Sequence, residues 1–298
     1  ILFKGLKRIT GRTYVERVVL KAIRSGVAIY SMHTALDNVR GGVSERMCEV
    51  LGLENTRILI PRKGAIKKLV TYVPEAARKA LLHSLFKAGG GHLGQYSHCS
   101  FYTAGTGSFL PGAAANPTIG TPGELQLEPE AQIHLTFTAD REKAVLAALF
   151  ENHPYEEVAY EVTTLDNAYG HLGMGMIGDL PEPVEPTALL QRVRERFQCG
   201  CIRHTDLPRT PLRRVAVLGG SGAFAIGPAK AAGADILITG DVKYHEFYQA
   251  EGKMVIADIG HYETEQFTKN LLAEYLSEKI PNFAISLSET KTNPINYF

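Results

Sequence analysis

Ala257-Asp258-Ile259-Gly260-His261-Tyr262-Glu263-Thr264-Glu265 is the stretch from which the fold is read. An apolar strand over Met254 to Ala257 runs into Asp258, and Gly260 permits a sharp turn. A helix starts near His261 and is expected to reach Leu276, with Phe267, Leu271, Leu272 and Tyr275 facing inward. In open α/β sheets, ligands collect outside the carboxyl ends of strands. His261 and Glu265 are four apart and so project from one helix face. A neutral imidazole beside a carboxylate is half of a divalent-metal site. The same spacing equally describes a capping His and an ordinary surface pair, and spacing alone leaves both open.

The surrounding sequence repeats this texture. Arg214 to Leu218 and Asp235 to Thr239 read as strands, Ala229 to Ala232 as the end of a helix, and Val242 to Ala250 as helical. Asp241 suits the N-cap of that last helix. His245 lies four residues on, so both can face one cleft as substrate contacts or general acid/base groups. Gly219-Gly220-Ser221-Gly222, running on to Ala223-Phe224-Ala225, fits a dinucleotide glycine loop weakly, because Asp241 stands in a loop rather than at a strand end. A phosphate nest of backbone amides or a plain tight turn fits the same glycines.

Toward the N-terminus, Tyr14 to Ser25 has helical apolar spacing, and Val27-Ala28-Ile29-Tyr30 reads as a short buried strand. Val43 to Leu51 reads as a helix and Arg57 to Ile60 as a strand. Tyr30-Ser31-Met32-His33-Thr34-Ala35-Leu36-Asp37-Asn38 thus comes directly after a strand. Asp37 is a candidate hard ligand there, and His33 a metal ligand or a group that orients one. Turn chemistry of Asp and Asn is the competing explanation. Ile1-Leu2-Phe3 reads as the tail of a strand, so the chain is expected to start inside a domain.

Between residues 67 and 165 the pattern changes. Lys68 to Val73 reads as a strand, and Pro74 opens a helix over Glu75 to Lys87. A Gly/Pro/Thr-rich region covers Ala104 to Gly123. Gln132 to Thr138 is a strand, Asp140 is placed to cap a helix over Arg141 to Phe150, and Val158 to Thr164 is a strand. This succession predicts a ferredoxin-like α+β domain at 67–165, inserted into an α/β core made of 1–66 and 166–298. His92, His98 and His153 sit in turns there, where loop hydrogen bonding explains them best.

The chain has 298 residues, 45% of them hydrophobic, enough for a large core. Its 32 Lys and Arg balance 31 Asp and Glu, which disfavours nucleic acid as the main partner. No apolar run is long enough to span a bilayer and no signal-peptide pattern is present. Cys48, Cys99, Cys199 and Cys201 do not form a disulfide framework, so reduced thiols and a cytoplasmic setting are expected. Serine-hydrolase elbows and P-loops are absent.

His33-Thr-Ala-Leu-Asp37-Asn38, Glu151-Asn-His-Pro-Tyr155-Glu-Glu157, Gly219-Gly-Ser-Gly222, Gly233 to Asp241 with Tyr244-His245, and Gly260-His261-Tyr-Glu-Thr-Glu265 occur in one order. Over nearly the whole chain this resembles the GTP cyclohydrolase I type 2 family, also called NIF-three-like. The resemblance implies a two-lobed α/β core holding two divalent metal ions, an insertion like CutA and PII proteins, and a toroidal homohexamer. It puts metal ligands on Asp37, His261 and Glu265, and makes His33 a neighbour of the site. The family's His-His ligand pair would precede Ile1. Zn, Mn and Fe suit such ligands about equally.

The implied activity is hydrolysis of a nucleotide-like substrate by metal-activated water, as in opening of the GTP imidazole ring. His33, Asp241 or His245 would then handle protons or substrate. A non-catalytic, metal-binding hexameric sensor or scaffold is the alternative, and a dinucleotide-dependent oxidoreductase using the Gly220 region is a third reading.

Overall fold

The computed structural model describes residues 5–298, and the strand tail expected at Ile1-Leu2-Phe3 lies outside them. The described residues begin with three helices, α1 (Tyr14–Arg24), α2 (Thr34–Asp37) and α3 (Val43–Leu51). Strands β1 (Glu54–Pro61) and β2 (Ile66–Pro74), helix α4 (Arg78–Lys87), strands β3 (Ser100–Phe109) and β4 (Gln126–Thr138), helix α5 (Glu142–Asn152) and strand β5 (Tyr160–Leu165) come next. Then come β6 (Gly173–Val184), α6 (Pro186–Arg196), β7 (Arg203–His204), β8 (Leu212–Ser221), α7 (Ile226–Ala231) and β9 (Ile236–Gly240). Strand β10 (Val255–Asp258) and helices α8 (His261–Glu265) and α9 (Thr268–Lys279) complete the chain.

Two sheets result. The larger has the order β1-β6-β8-β9-β10-β7. Strands β8, β9 and β10 are mutually parallel, while β1, β6 and β7 join antiparallel. Side chains alternate across a strand, so Val215 and Val217 enter one core while Ala216 and Leu218 enter another. The first core is closed by Met47 and Leu51 of α3 and by Leu189, Val193 and Phe197 from the α6 segment. The second is closed by Ile226 and Ala229 of α7 and by Val242 and Ala250. Helices on both faces explain why these strands read as continuous apolar runs.

The smaller sheet, β3-β4-β2-β5, is antiparallel throughout and is built only from residues 66 to 165. Ala131, Ile133, Leu135 and Phe137 face α4 and α5, and the alternate residues face away.

Several expectations need correction. Val27 to Tyr30 is exposed and belongs to no sheet. Apolar composition is not enough for a strand, which also needs a neighbour for its amides and carbonyls. No described strand pairs with this segment. Part of the Gly/Thr-rich region, Ala104 to Phe109, is a strand after all. It pairs in register with β4, from Ser100 opposite Leu135 to Phe109 opposite Gln126, and pairing overrides weak propensity. Asp140 makes no capping bond, because a 3-10 turn over Ala139–Arg141 precedes α5. The helix expected from His261 to Leu276 breaks between α8 and α9. There Gln266 Nε2 donates to the Phe197 carbonyl at 2.6 Å, and the Phe267 ring meets Phe197 edge-on at 5.8 Å. The break shifts the helical phase, so Tyr275 is exposed rather than inward.

Phe197 therefore supports both the α6 segment and the α8–α9 junction. Truncation, Phe197→Ala, is expected to cost about 3–5 kcal/mol of stability. Urea denaturation reads this directly, and a loss below about 1 kcal/mol would show that the junction is held by something else.

Candidate functional site

The three parallel strands end side by side, and the candidate site lies on the loops beyond them. At the end of β10, the buried Asp258, 4% exposed, connects two of these loops. Its carboxylate accepts the Val242 amide at 2.8 Å and the Gly260 amide at 3.0 Å, and it also pairs with Arg203. Val242 comes just after Asp241, and Gly260 just before His261. One carboxylate thus fixes the backbone on both sides of the next contact.

That contact joins Asp241 and His261. His261 Nδ1 lies 2.6 Å from Asp241 Oδ2, and Nε2 lies 3.5 Å from Glu265 Oε1. Asp241 is not the N-cap expected from sequence. It sits at φ 55°, while Lys243 occupies the cap position and its amide donates to Glu246 Oε2 at 2.7 Å. The next segment, Tyr244–Ala250, is a 3-10 helix. A four-residue spacing counted on an α-helix therefore does not place His245 with Asp241. His245 is exposed and stacks edge-on against Tyr244.

The glycines after β8 serve this arrangement. Gly220 has φ +70°, and a Cβ there would sit 2.6 Å from Glu265 Oε1 and 3.4 Å from His261 Nε2. Its amide donates to Thr264 Oγ1 at 2.8 Å, and Thr264 Oγ1 donates to the His261 carbonyl at 2.7 Å. The Gly220 amide is thus engaged by the protein itself, which argues against a phosphate nest or dinucleotide loop at this position.

Asp37 ends the single turn α2, which is tied to the start of β6. Gly173 N donates to Asn38 O at 3.0 Å, and Arg40 N donates to His171 O at 3.0 Å. Burial and then the Glu265 carboxylate push Asp37 up to about 6, against smaller pulls from His33 and His261. His261 is raised to about 9, by Glu265 first and also by Asp241. Asp37 therefore feels the charge of Glu265, His33 and His261, although Asp37 and Glu265 come from opposite ends of the chain.

The donor types, two carboxylates and an imidazole, fit a divalent cation. Asp241 on Nδ1 leaves Nε2 facing Glu265, a carboxylate–histidine arrangement of the kind found around metals. The charge that Glu265 presents to Asp37 is the kind that a cation relieves. Among the described residues, no three His, Cys, Asp or Glu side chains converge closely enough to hold an ion by themselves. Two clefts of the chain lie elsewhere. One of about 870 Å³ borders Arg203, Tyr244 and Lys253, and one of about 460 Å³ lies beside β3 and β4, and neither is lined by Asp37, His261 or Glu265. Cys48 and Cys199 are buried and their thiols are pushed up to about 12, chiefly by burial.

Sequence reasoning missed Asp258 and Thr264 as positioning groups. The available signal was a carboxylate at the end of a buried strand, where burial demands hydrogen-bond partners.

Comparison with known proteins gives the chain its relatives. The model of the Duf34/NIF3 family, described as NGG1p interacting factor 3, matches residues 1–294. A Bacillus subtilis protein named GTP cyclohydrolase 1 type 2 homolog is 34% identical over 301 residues, covering 99% of this chain and 81% of its own. A like-named protein of Halalkalibacterium halodurans is 36% identical over 303 residues, covering 100% and 81%. The crystal structure of a Bacillus cereus protein related to NIF3 superposes with a TM-score of 0.82 at 35% identity, over 99% of this chain and 80% of that one. Staphylococcus aureus protein SA1388 shares the fold, with a TM-score of 0.74 at 22% identity over 99% and 79%.

Both shifted groups bind their proton more tightly in the folded chain. Their stabilisation is therefore present at low pH and is lost as pH rises, through about 6 for Asp37 and about 9 for His261. Chelator-treated protein should show a falling unfolding temperature across that window. NMR titration should find the His261 imidazole protonated well above pH 7, and Asp241→Asn should move its midpoint down toward 6.5, the value of a free imidazole. An unmoved midpoint would remove Asp241 from the site.

Proposed function

This chain belongs to the Duf34/NIF3 family, and on that premise we propose that it is a dinuclear-metal-dependent hydrolase of a nucleotide-like substrate. The observation that carries the reading is the pair His261 and Glu265, with Nε2 3.5 Å from Oε1 and Nδ1 held by Asp241 at 2.6 Å; the Glu265 charge also reaches Asp37. Resemblance to relatives named GTP cyclohydrolase 1 type 2 homolog makes hydrolytic opening of the GTP imidazole ring the reaction to test first.

Asp37, His261 and Glu265 would hold the metal. Bound divalent ions supply a water acidified enough to attack at neutral pH and a positive centre for the group under attack. Where a cation displaced the Nε2 proton, Asp241 would keep the remaining proton on Nδ1 and hold Nε2 toward the site. Glu265 and Asp37, both carboxylates, supply the negative charge. His33, at φ 39° immediately before α2, is the candidate for proton transfer on the Asp37 side. Gly220 leaves the space that a side chain would fill.

The same reading includes two metal ions of the Zn, Mn or Fe type, a toroidal homohexamer, a cytoplasmic setting and a CutA/PII-like inserted domain formed by the smaller sheet. The four free cysteines agree with a reducing compartment. No described helix is long and apolar enough to cross a membrane. The order of the smaller sheet, with two helices on one face, is that of a ferredoxin-like sandwich.

Full-length protein with Asp37→Ala and Glu265→Ala together is expected to lose bound divalent metal, measured by elemental analysis, and all metal-dependent nucleotide hydrolysis. Unchanged turnover would end the proposal. Stoichiometric metal in the parent protein without turnover on any nucleotide would favour the sensor reading instead.

A further inference from the structure

The aromatic and acidic stretch Glu151-Asn-His-Pro-Tyr155-Glu-Glu157 has no part in the metal-type site. Its later residues form one wall of the cleft of about 460 Å³ in the smaller unit. Strand ends and loops build the other walls. Tyr72 comes from β2, Phe109 from the end of β3, Glu130 from β4, and Pro111 and Pro117 from the loop after β3.

The walls are held in place by specific bonds. Thr118 Oγ1 donates to the Pro154 carbonyl at 2.5 Å, and the Asn116 amide donates to Glu156 Oε2 at 3.1 Å. The buried His153 donates from Nε2 to the Tyr72 carbonyl at 2.8 Å and accepts the Tyr155 amide on Nδ1 at 3.1 Å. Gln132 Nε2 donates to the Tyr72 hydroxyl at 3.0 Å. The His153 ring, whose charged form burial disfavours, is thus a fixed brace between two wall residues.

The lining combines aromatic faces with acid. It presents three aromatic side chains, Tyr72, Phe109 and Tyr155, the last two with ring centroids 5.8 Å apart. It also presents three carboxylates, Glu130, Glu156 and Glu157, and none of the described lining residues is Lys, Arg or His. The Tyr155 hydroxyl donates to Glu130 Oε1 at 2.7 Å, and burial followed by this bond keeps the phenol protonated. Glu130 Oε2 has no hydrogen bond among the described residues. Aromatic faces attract diffuse positive charge, and more strongly where water is partly excluded. A lining carboxylate with one oxygen open to the cleft can accept a charge-assisted bond from a cationic donor.

We propose that this cleft binds a small organic cation, an alkyl- or arylammonium or guanidinium group, with its charge on Glu130 and its body between Phe109 and Tyr155. A free amine and the Lys or Arg side chain of a second copy share this chemistry. The volume suits a free small molecule, being within the range of ligand pockets, and the proposal commits to that source.

The test uses the full chain in its native assembly and titrates phenethylammonium, its neutral counterpart 2-phenylethanol and the anion phenylacetate by calorimetry. Phenethylammonium is expected to bind at least tenfold more tightly than the alcohol, with the anion weakest. Glu130→Gln should abolish the preference for the cation, and Tyr155→Phe should reduce it while leaving the ring contact. Equal binding of cation and alcohol, or no binding of the cation at millimolar concentration, overturns the assignment. A change of sedimentation mass in Glu130→Gln also overturns it, since that would mean a side chain of another copy fills the cleft.

Discussion

The arrangement at the ends of the parallel strands depends on one buried carboxylate. Asp258 is 4% exposed, and burial of a charge is costly unless it is paired and hydrogen-bonded. Its partners are two backbone amides and Arg203, and each constrains something different. The Val242 amide sets the loop after β9, the Gly260 amide sets the turn into α8, and Arg203 ties edge strand β7 to the same point. Because Asp241 and His261 adjoin those amides, their 2.6 Å contact is a consequence of where Asp258 puts the main chain. The left-handed backbone of Asp241 is held against its intrinsic preference by the same attachment.

Packing supports that point from below. Phe197 and Phe267 lock the end of the α6 segment to the α8–α9 junction, and Gly219 lets Val43 of α3 approach the end of β8. Helix α8 is only one turn long, so it has little stability of its own. It keeps His261 and Glu265 on one face because Thr264 bonds to Gly220 and because the aromatic pair anchors the start of α9. The predicted spacing of four residues is realised, but tertiary contacts rather than helix length maintain it.

Fold and site are legible in the sequence only where the signal is local. Strands β8, β9 and β10 are readable because burial on both faces leaves long apolar runs that need no partner to be recognised. Strand β3 is obscured by glycines whose pairing with β4 appears only in three dimensions. Val27 to Tyr30 fails in the opposite sense, having strand composition but no described neighbour. At the site, His261 and Glu265 are legible from local periodicity. Asp37 is legible only as a loop acid, since its coupling to Glu265 crosses more than two hundred residues of sequence. The role of Asp241 is hidden because the positive φ that removes it from the cap position has no signature in an Asp-Val-Lys sequence.

The two candidate centres use negative charge in different ways, and the difference comes from their surroundings. Around His261 the carboxylates stand beside an imidazole and close backbone, with no side chain at Gly220 to crowd them. Such a setting favours a compact ion that takes several donors at short range. Around Glu130 the carboxylate lines an open aromatic cleft, where a compact, strongly hydrated ion would gain little from the ring faces. A diffuse organic cation loses less hydration on entry and gains from every ring it touches. Net charge near zero for the whole chain conceals this, because the compensating Lys and Arg lie outside both clusters. Local sorting of charge against shape, rather than overall composition, is what distinguishes the two candidate centres.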